Sequence, residues 1–326
     1  MTREIVIESA TLPLSCDLQV AGAFCRVSTN SHTVRHTLAK WQRRDGYRPA
    51  GQFSLQVQVT NEKREGRANP HFWGLHHLVI ASFGSANMFV FDIARRNVLA
   101  TISEEIAGDQ LFWDRLLLPI AMGVLGAAVG VVPVHCACLA IDGAGLLIAG
   151  ASGAGKSTLS VALARSGFTF LSDDWTYLSQ SGGELTAHGM SVPAKLLPDS
   201  ERFFPFLAGY PIRPALNEEL AFELPTQDLG TQVELSCQPR WFLFLERGAA
   251  EDCRLDPVFP HEARQYVENS VERLPPQLTD IAERRAAIMA AISHLSCWKL
   301  TYDGPPDIAV RGLQSFLGRE RFQVSA

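Results

Sequence analysis

One short segment constrains the fold of this 326-residue chain more than any other: a glycine-rich loop between a predicted strand and a predicted helix. The apolar run at residues 146–149 predicts a buried strand, and residues 158–164 continue as good helix formers. The loop between them reads GASGAGKS from Gly150 to Ser157, and we name it the glycine loop. It matches the pattern GxxxxGK followed by Ser or Thr, in the strand–loop–helix context that this pattern requires.

The residue types of the glycine loop suit a triphosphate ligand. Glycines let backbone N–H groups turn toward phosphate oxygens, and the N-terminus of the next helix adds positive charge. Lys156 would bring its ammonium to the β- and γ-phosphates, and the Ser157 hydroxyl would reach Mg²⁺. The alternative is a glycine-rich turn before an ordinary helix. We therefore predict a site for ATP and Mg²⁺. Its nucleotide-binding residues would be Gly150, Ala151, Ser152, Gly153, Ala154, Gly155, Lys156, Ser157 and Thr158.

A hairpin is predicted directly before the glycine loop. Residues 135–141 are an apolar strand candidate, and the next four residues, Asp-Gly-Ala-Gly, are a turn signal. With Gly143-Ala144 as the two-residue loop, continuing the strand pairing brings His135 level with Ser152. We therefore interpret His135 as part of the phosphate site. The alternative is a structural histidine at the end of an apolar strand.

A pair of carboxylates follows the next predicted strand. Residues 167–172 form another buried strand candidate, and Asp173 and Asp174 come directly after it. Strands next to the strand of the glycine loop present their C-terminal ends to the phosphates, where carboxylates can hold Mg²⁺ and accept a hydroxyl proton. The alternative is an Asp pair that only forms a turn. We interpret the pair as functional.

The run VHCACLAIDGAGLLIAGASGAGKSTLSVALARSGFTFLSDDW resembles the catalytic core of HPr kinase/phosphorylase and its relatives. Those proteins share a histidine on a strand, a hairpin, a GxSGxGKS loop, a helix and a strand that ends in Asp-Asp. The resemblance implies an α/β P-loop kinase fold of the HPr kinase and phosphoenolpyruvate carboxykinase type, with a mixed sheet. It also implies that the chain phosphorylates a serine hydroxyl of a peptide or protein.

By this resemblance, His135, Asp173 and Asp174 would form the catalytic group. We assign the general base to Asp174, supported by His135, and the metal to Asp173 together with Ser157. Residues 189–198 differ in kind from the glycine-rich signature of the bifunctional enzymes, which points away from HPr as the substrate and from phosphorylase activity. The Ser-Asp-Asp-Trp motif looks more like that of HPr-kinase-related proteins encoded in peptide natural-product gene clusters. Some of those proteins phosphorylate the C-terminal serine of a lasso precursor peptide.

The rest of the chain predicts a smaller β-rich N-terminal domain over residues 1–105 and a catalytic domain over residues 106–326. Residues 53–59 alternate apolar and polar side chains, as a half-buried strand does. The other predicted strands are residues 88–93, 97–102, 185–188, 191–197, 240–245 and 298–302. The predicted helices are a buried one at residues 109–130, one from Pro276 to Ser293 and one from Pro306 to Leu317.

Composition and charge restrict the possible partners. The net charge is −5, whereas nucleic-acid binders are usually basic, so we interpret the basic stretches 40–48 and 63–67 as solvated loops. The seven cysteines include no CxxC pair and fit a reducing cytoplasm. Residues 116–141 are apolar enough to span a bilayer, but the second half is needed as a strand, so a membrane span is rejected. We expect a cytoplasmic protein with neither a nucleic-acid nor a membrane partner, and leave a homo-oligomer open.

Three functions remain open at this point. The first is a serine kinase that acts on a peptide or protein. The second is a kinase for small-molecule hydroxyls on the same fold, and the third is a nucleotide-gated binding module with little catalysis. The joint presence of Lys156, Ser157, His135 and the Asp pair disfavours the third. Lys195 and Arg247, each near the end of a predicted strand, are candidates for steering an acidic acceptor, although solvated charges are the simpler interpretation.

Overall fold

The computed structural model describes residues 11–43, 48–61, 70–84, 87–190, 192–215, 219–248, 253–269 and 279–324. These residues form two compact units, the first reaching to Val129 and the second beginning at Gly130. The α/β class predicted from the sequence is confirmed, because both units combine helices with sheets that contain parallel and antiparallel strand pairs.

The first unit is built on a seven-stranded mixed sheet. Its strands are β1 (Leu14–Val20), β2 (Ala23–Thr29), β3 (Gly51–Thr60), β4 (His71–Leu75), β5 (Leu78–Phe83), β6 (Asn87–Asp92) and β7 (Asn97–Ser103). They lie in the order β1-β2-β3-β7-β6-β5-β4, and β3 is parallel to both of its neighbours. Alternate residues of β3 from Phe53 to Val59 are buried, which confirms the predicted half-buried strand. The two strands predicted at residues 88–93 and 97–102 are β6 and β7.

The helices of the first unit are short. They are α1 (His32–Thr37), α2 (Glu104–Ala107), α3 (Gln110–Phe112) and α4 (Leu118–Leu125), with 3₁₀ turns at Leu38–Trp41 and Gly126–Val129 and a π turn at Trp113–Leu117. The helix predicted at residues 109–130 is confirmed as one helical segment, Gln110–Val129, in which the α, π and 3₁₀ turns follow one another without a break. Pro119 lies at the start of α4, directly after the π turn.

The segment Gln110–Val129 would be long and apolar enough to cross a membrane, by length and composition alone. Within its most apolar window, 67% of the residues are buried inside the protein, as expected for a core helix. The segment groups with the first unit, whose strands β6 and β3 it contacts. The structural division thus comes after Val129, whereas the sequence-based domain boundary was drawn after residue 105, at the end of the strand-rich part.

The second unit contains twelve described strands. They are β8 (Val131–Val134), β9 (Ala137–Ile141), β10 (Ala144–Gly150), β11 (Thr169–Ser172), β12 (Thr176–Ser181), β13 (Glu184–His188), β14 (Ala194–Leu196), β15 (Ile212–Pro214), β16 (Leu220–Leu224), β17 (Ser236–Arg247), β18 (Arg254–Pro257) and β19 (Ser296–Tyr302). Nine of them form one sheet in the order β11-β9-β10-β17-β13-β12-β8, with β19 on β17 and β18 on β19. The other three form a small sheet in the order β14-β16-β15.

Helices cover both faces of the nine-stranded sheet. They are α5 (Lys156–Arg165), α6 (Pro260–Asn269), α7 (Thr279–Ile292) and α8 (Pro306–Val324), with 3₁₀ turns at Pro198–Arg202, Pro205–Gly209 and Thr226–Leu229. In β10, Leu146 and Ile148 pack into the apolar cluster that contains α5 and α8. The alternate residues Leu147 and Ala149 pack into the cluster that contains α6 and α7. A strand buried on both faces is apolar throughout, which is why the sequence before the glycine loop has no polar residue.

Most predicted elements of the second unit exist with shifted bounds. The strands predicted at 185–188, 240–245 and 298–302 lie within β13, β17 and β19, and the strand at 191–197 shortens to β14. The last helix starts at Pro306 as predicted but extends to Val324. Residue 191, most of the loop at 61–69 with its basic stretch, and the predicted helix start at Pro276 lie outside the described residues.

The hairpin before the glycine loop forms, but its predicted register is wrong. Ile141 lies opposite Ala144, so the two-residue loop is Asp142-Gly143 and not Gly143-Ala144. Both loop residues have positive φ, 49° and 79°, as a type I′ turn requires, and Asp-Gly is a preferred pair for it. The pairing of His135 with Ser152 is therefore wrong as well. The strand predicted at 135–141 shortens to β9, because His135 and Cys136 lie in the turn between the end of β8 at Val134 and the start of β9 at Ala137.

A buried histidine makes the stability of the second unit sensitive to acid. Burial lowers the pKa of His188 from 6.5 to about 4, while its Nε2 lies 2.8 Å from the Ser179 hydroxyl. Between these two pH values the unfolded chain binds a proton that the native protein does not, so stability falls as the pH falls through this window. His188→Gln should flatten that part of the profile, by roughly 2 kcal/mol between pH 6.5 and 4.5.

The measurement is the free energy of unfolding by urea as a function of pH. His261→Gln, at an exposed position on α6, is the matched control and should leave the slope unchanged. An equal slope in wild type and His188→Gln would contradict the prediction.

Candidate functional site

Parallel strand ends position the site in the second unit. β10 runs parallel to β17, and β17 runs parallel to β19. β11 points the same way as β10, because both pair antiparallel to β9. The C-terminal ends of these strands are followed by the glycine loop, Asp173 and Asp303, and β17 itself ends at Arg247. Ligands of α/β proteins usually bind at such carboxyl ends.

Two residues of the glycine loop have backbone conformations that glycine adopts more readily than other residues. Gly153 and Gly155 have φ values of 76° and 95°, in the region that favours glycine, and a Cβ on Gly153 would meet open space. A Cβ on Gly150 would lie 2.7 Å from the carbonyl oxygen of Leu245, so β10 and β17 could not approach as they do. α5 begins directly after Gly155, which directs its N-terminal N–H groups toward the loop.

The Lys156 side chain folds over the loop. Its Nζ donates to the carbonyl oxygens of Gly150 at 3.0 Å and Ala151 at 3.2 Å, and the residue is 9% exposed. These carbonyls hold the ammonium against the glycine loop. A bound phosphate could replace them as its partner, because the bonds are to neutral groups, whereas bonds to an anion are about twice as strong.

A cleft of about 870 Å³ opens beside the loop. Of the predicted nucleotide-binding residues, six line it: Ser152, Gly153, Gly155, Lys156, Ser157 and Thr158. The other three, Gly150, Ala151 and Ala154, do not. All three predicted catalytic residues, His135, Asp173 and Asp174, line the same cleft. The structure thus brings the three motifs together at one place, and their chemical roles stay predictions.

His135 and Asp174 form a hydrogen-bonded pair. Nε2 of His135 donates to Oδ1 of Asp174 at 2.9 Å, and the side chains are 38% and 55% exposed. The Cys136 N–H bonds to the Val134 carbonyl at 2.8 Å, a γ-turn centred on His135 that ends β8 and turns the imidazole out of the sheet. The Trp175 ring stacks on the imidazole, with centroids 5.3 Å apart and planes at 27°. The carboxylate is thereby oriented while it stays open to a ligand.

Two buried hydroxyls join the histidine turn to the acidic turn. The Thr176 hydroxyl donates to the Cys136 carbonyl at 2.8 Å, and the Ser172 hydroxyl therefore donates to Thr176 at 2.7 Å. Burial raises the pKa of the Cys136 thiol to about 12, so this cysteine stays protonated beside the site. Sequence reasoning missed these hydroxyls and the stacked Trp175. The Ser-Asp-Asp-Trp motif contains Ser172 and Trp175, whereas Thr176 lies directly after it.

Asp173 and Asp174 differ in environment although they are adjacent. Asp173 is 2% exposed, and its Oδ2 accepts the Lys195 N–H of β14 at 3.0 Å. The described residues contain no group of three or more His, Cys, Asp or Glu side chains that could hold a metal. Mg²⁺ in phosphoryl-transfer sites needs only one or two protein ligands, because phosphates and waters supply the rest. A carboxylate and a hydroxyl in one cleft, Asp173 and Ser157, fit that requirement.

The two cations proposed to steer an acceptor both line the cleft, and both are already engaged. Lys195 pairs with Glu219 at 2.7 Å. Arg247 donates to the carbonyl oxygens of Ala154 at 3.2 Å and Gly304 at 3.1 Å, and its guanidinium lies 4.3 Å from the Tyr302 ring centroid. Arg247 therefore braces the glycine loop against the end of β19. Its role toward an acceptor stays a prediction.

Thr176→Val should destabilise the second unit by about 1–3 kcal/mol, because it leaves the buried Cys136 carbonyl and the Ser172 hydroxyl without their partner. Urea unfolding measures the change. Thr301→Val is the matched control, since the Thr301 hydroxyl is buried and has no hydrogen-bond partner among the described residues. The control should leave the free energy of unfolding unchanged or raise it. An equal loss of unfolding free energy in the two variants would contradict the stabilising role of the Thr176 hydrogen bonds.

No protein-family model matches the chain, and no curated protein matches it. Among solved structures, the chain is similar to the Hpr(Ser) kinase/phosphatase from Coxiella burnetii. The sequence identity is 17%, the match covers 59% of this chain and 92% of that one, and the TM-score is 0.32. A likeness at this level does not by itself establish a shared fold or a shared activity.

Proposed function

We propose that the chain is a cytoplasmic ATP-dependent kinase that transfers the γ-phosphate to a serine hydroxyl of a peptide or protein. One observation carries the proposal: the His135–Asp174 pair opens into the same cleft as Lys156 and Ser157 of the glycine loop. A phosphate cradle alone would suit any nucleotide-binding protein. A cradle that shares its cleft with an oriented, half-exposed carboxylate also has a group that can accept a proton.

The two carboxylates have different roles in the proposed reaction. Asp174, 55% exposed on its side chain, takes the proton of the acceptor hydroxyl while His135 holds its orientation. The acceptor oxygen then bonds to the γ-phosphorus, and the bond from phosphorus to the oxygen bridging the β- and γ-phosphates breaks. Lys156 and the N–H groups of the glycine loop hold the phosphates through this change. Asp173 and Ser157 would hold Mg²⁺, which neutralises phosphate charge when bound.

We further propose that the second unit is a P-loop kinase fold of the HPr kinase and phosphoenolpyruvate carboxykinase type. The support is the hairpin β9–β10 feeding the glycine loop, together with the parallel strands β10, β17 and β19. The His135, glycine-loop and Asp-pair motifs occur in the order that this family shares, as the sequence run from Val134 to Trp175 indicates.

Asp173→Asn should raise the Mg²⁺ concentration needed for half-maximal transfer by roughly tenfold or more, because a hard cation loses an anionic oxygen ligand. Titration of Mg²⁺ at saturating ATP measures this. Asp199→Asn, another carboxylate of the same cleft, is the matched control and should leave the Mg²⁺ requirement unchanged. If the Asp173 variant has the wild-type Mg²⁺ requirement, the metal assignment is wrong.

The acceptor class can be tested by offering three kinds of hydroxyl with ATP and Mg²⁺. The first is a serine-containing peptide, the second is the same peptide with alanine for serine, and the third is a mixture of glycerol, sugars and nucleosides. Mass spectrometry then reports which compound gains a phosphoryl group. The proposal predicts phosphoserine in the first peptide only. Phosphorylation of the small molecules alone would make the chain a small-molecule kinase, and ATP binding without any product would make it a binding module.

A further inference from the structure

A second cleft lies in the first unit, with a volume of about 540 Å³. It opens at the start of β3, beside β2 and the turn between β6 and β7. The residues that line it are Phe24, Arg26, Gln52, Phe53, Ser54, Ala94, Arg95 and Arg96. Three of these eight carry a guanidinium, so we name it the arginine cleft.

The positive charge of the arginine cleft is only partly balanced. Arg26 forms two hydrogen bonds with Asp17, at 3.0 and 3.2 Å, and Arg95 bonds Asp92 at 2.9 Å. Arg96 has no carboxylate partner among the described residues. A fourth guanidinium, that of Arg43, lies 5.4 Å from the ring centroid of Phe24 at the cleft. The cleft therefore presents planar donors and net positive charge, which suit a carboxylate.

An apolar row crosses the same face of the sheet. Leu99 lies opposite Val90, Val90 opposite Ile80, and Ile80 opposite Trp73, so these side chains follow one another from β7 to the edge strand β4. Asn97, two residues before Leu99, pairs with Ser54 of the arginine cleft, which places the row and the cleft on one face. Leu99 and Trp73 are 47% and 43% exposed. Val90 and Ile80, between them in the row, are half-buried. Neighbouring apolar side chains that reach the surface beside polar ones mark interaction surfaces.

We infer that this face binds an acidic peptide segment, with its carboxylates in the arginine cleft and its apolar side chains along the row from Leu99 to Trp73. Neighbouring strands are about 4.8 Å apart, so three spacings from β7 to β4 span about 14 Å. An extended peptide covers that distance with about four residues and needs a few more to reach the cleft, or roughly eight in total. The complementary charge selects an acidic peptide over a basic one.

A nucleic acid fits this face less well. Duplex or single-stranded binding needs a continuous basic track, and the carboxylates of Asp17 and Asp92 interrupt this one. The chain as a whole carries a net charge of −5. The apolar row also offers no positive charge to successive phosphates.

The test is a binding titration of the full chain without nucleotide, so its outcome does not depend on phosphoryl transfer. The probe is a fluorescein-labelled eight-residue peptide with two glutamates at one end followed by alternating serine and leucine, read by fluorescence anisotropy. Arg96→Gln should weaken binding about tenfold, because one charge-assisted hydrogen-bond pair is lost. Arg35→Gln, at an exposed position in another part of the first unit, is its control and should change Kd by less than about twofold.

Trp73→Ala tests the apolar row separately and should also weaken binding about tenfold. Its control is Phe72→Ala: Phe72 lies on the same strand, is 44% exposed and points to the opposite face. Thermal melting checks that each variant is folded. The proposal is overturned if wild type binds a peptide with lysine in place of glutamate equally well. It is also overturned if each variant and its control lose the same amount of peptide affinity. It is also overturned if inorganic phosphate or an oligonucleotide competes at the concentration of the unlabelled peptide.

Discussion

Asp174→Asn is expected to lower the single-turnover rate of γ-phosphate transfer by about 10²- to 10⁴-fold, with little change in ATP affinity. The asparagine keeps the shape of the side chain and can still bond His135, but it cannot accept the proton of the acceptor hydroxyl. Because the carboxylate is half-exposed and 2.9 Å from Nε2 of His135, the substitution should disturb neither the core nor the glycine loop.

The control for this variant is Asp199→Asn, which removes a different carboxylate from the same cleft. Its transfer rate should stay within about threefold of wild type, since its ion pair with Arg202 is exposed on both sides. If Asp174→Asn transferred phosphate at the wild-type rate, Asp174 would not be the general base.

Lys156→Ala is expected to reduce transfer at least ~10²-fold and to weaken binding of ATP with Mg²⁺, because the cradle loses its cation. The fold should survive, since the bonds of Nζ among the described residues are to two loop carbonyls, those of Gly150 and Ala151. The measurements are ATP affinity by calorimetry and transfer in a single turnover.

Lys299→Ala provides the matched comparison for the lysine. Lys299 lies on β19 in the same unit and pairs with Glu246 at 3.2 Å, and it does not line the cleft. Its variant should bind ATP and turn over like wild type. Equal ATP affinity in wild type and Lys156→Ala would contradict the proposal that the glycine loop binds ATP.

The glycine loop could be predicted from the sequence because its determinants are local. A strand that is buried on both faces needs an apolar run, and the positive φ values of Gly153 and Gly155 need glycine. Similar reasoning placed Asp173 and Asp174 after a buried strand and His135 near the phosphate site. All three line the cleft with the loop.

The hairpin register was predicted wrongly although a local signal for it was present, because Asp142-Gly143 is a preferred type I′ pair and alanine at position 144 disfavours positive φ. The choice depends on which pair adopts positive φ at both positions, and Asp142-Gly143 does so. His135 still reaches the cleft, but through the γ-turn after Val134 and not through the pairing of β9 with β10. The structure therefore corrects the predicted route of His135 to the cleft, and its functional role stays a prediction.

Contacts between residues far apart in the sequence could not be predicted from local sequence patterns. Thr176 reaches the Cys136 carbonyl because β12 pairs with β8, two strands that are far apart in the sequence. The brace from Arg247 to Ala154 likewise depends on the parallel pairing of β17 with β10. In the first unit, the cross-strand row from Leu99 to Trp73 exists only once four strands are in register.

The most direct measurement of the central claim uses ATP labelled at the γ-phosphate, a serine-containing peptide and wild-type protein in a single turnover. The claim predicts that the label appears on the peptide serine, and that it is lost in both Lys156→Ala and Asp174→Asn. If wild type leaves the label on ATP, or if Lys156→Ala transfers it as fast as wild type does, the cleft beside the glycine loop is not a phosphoryl-transfer site.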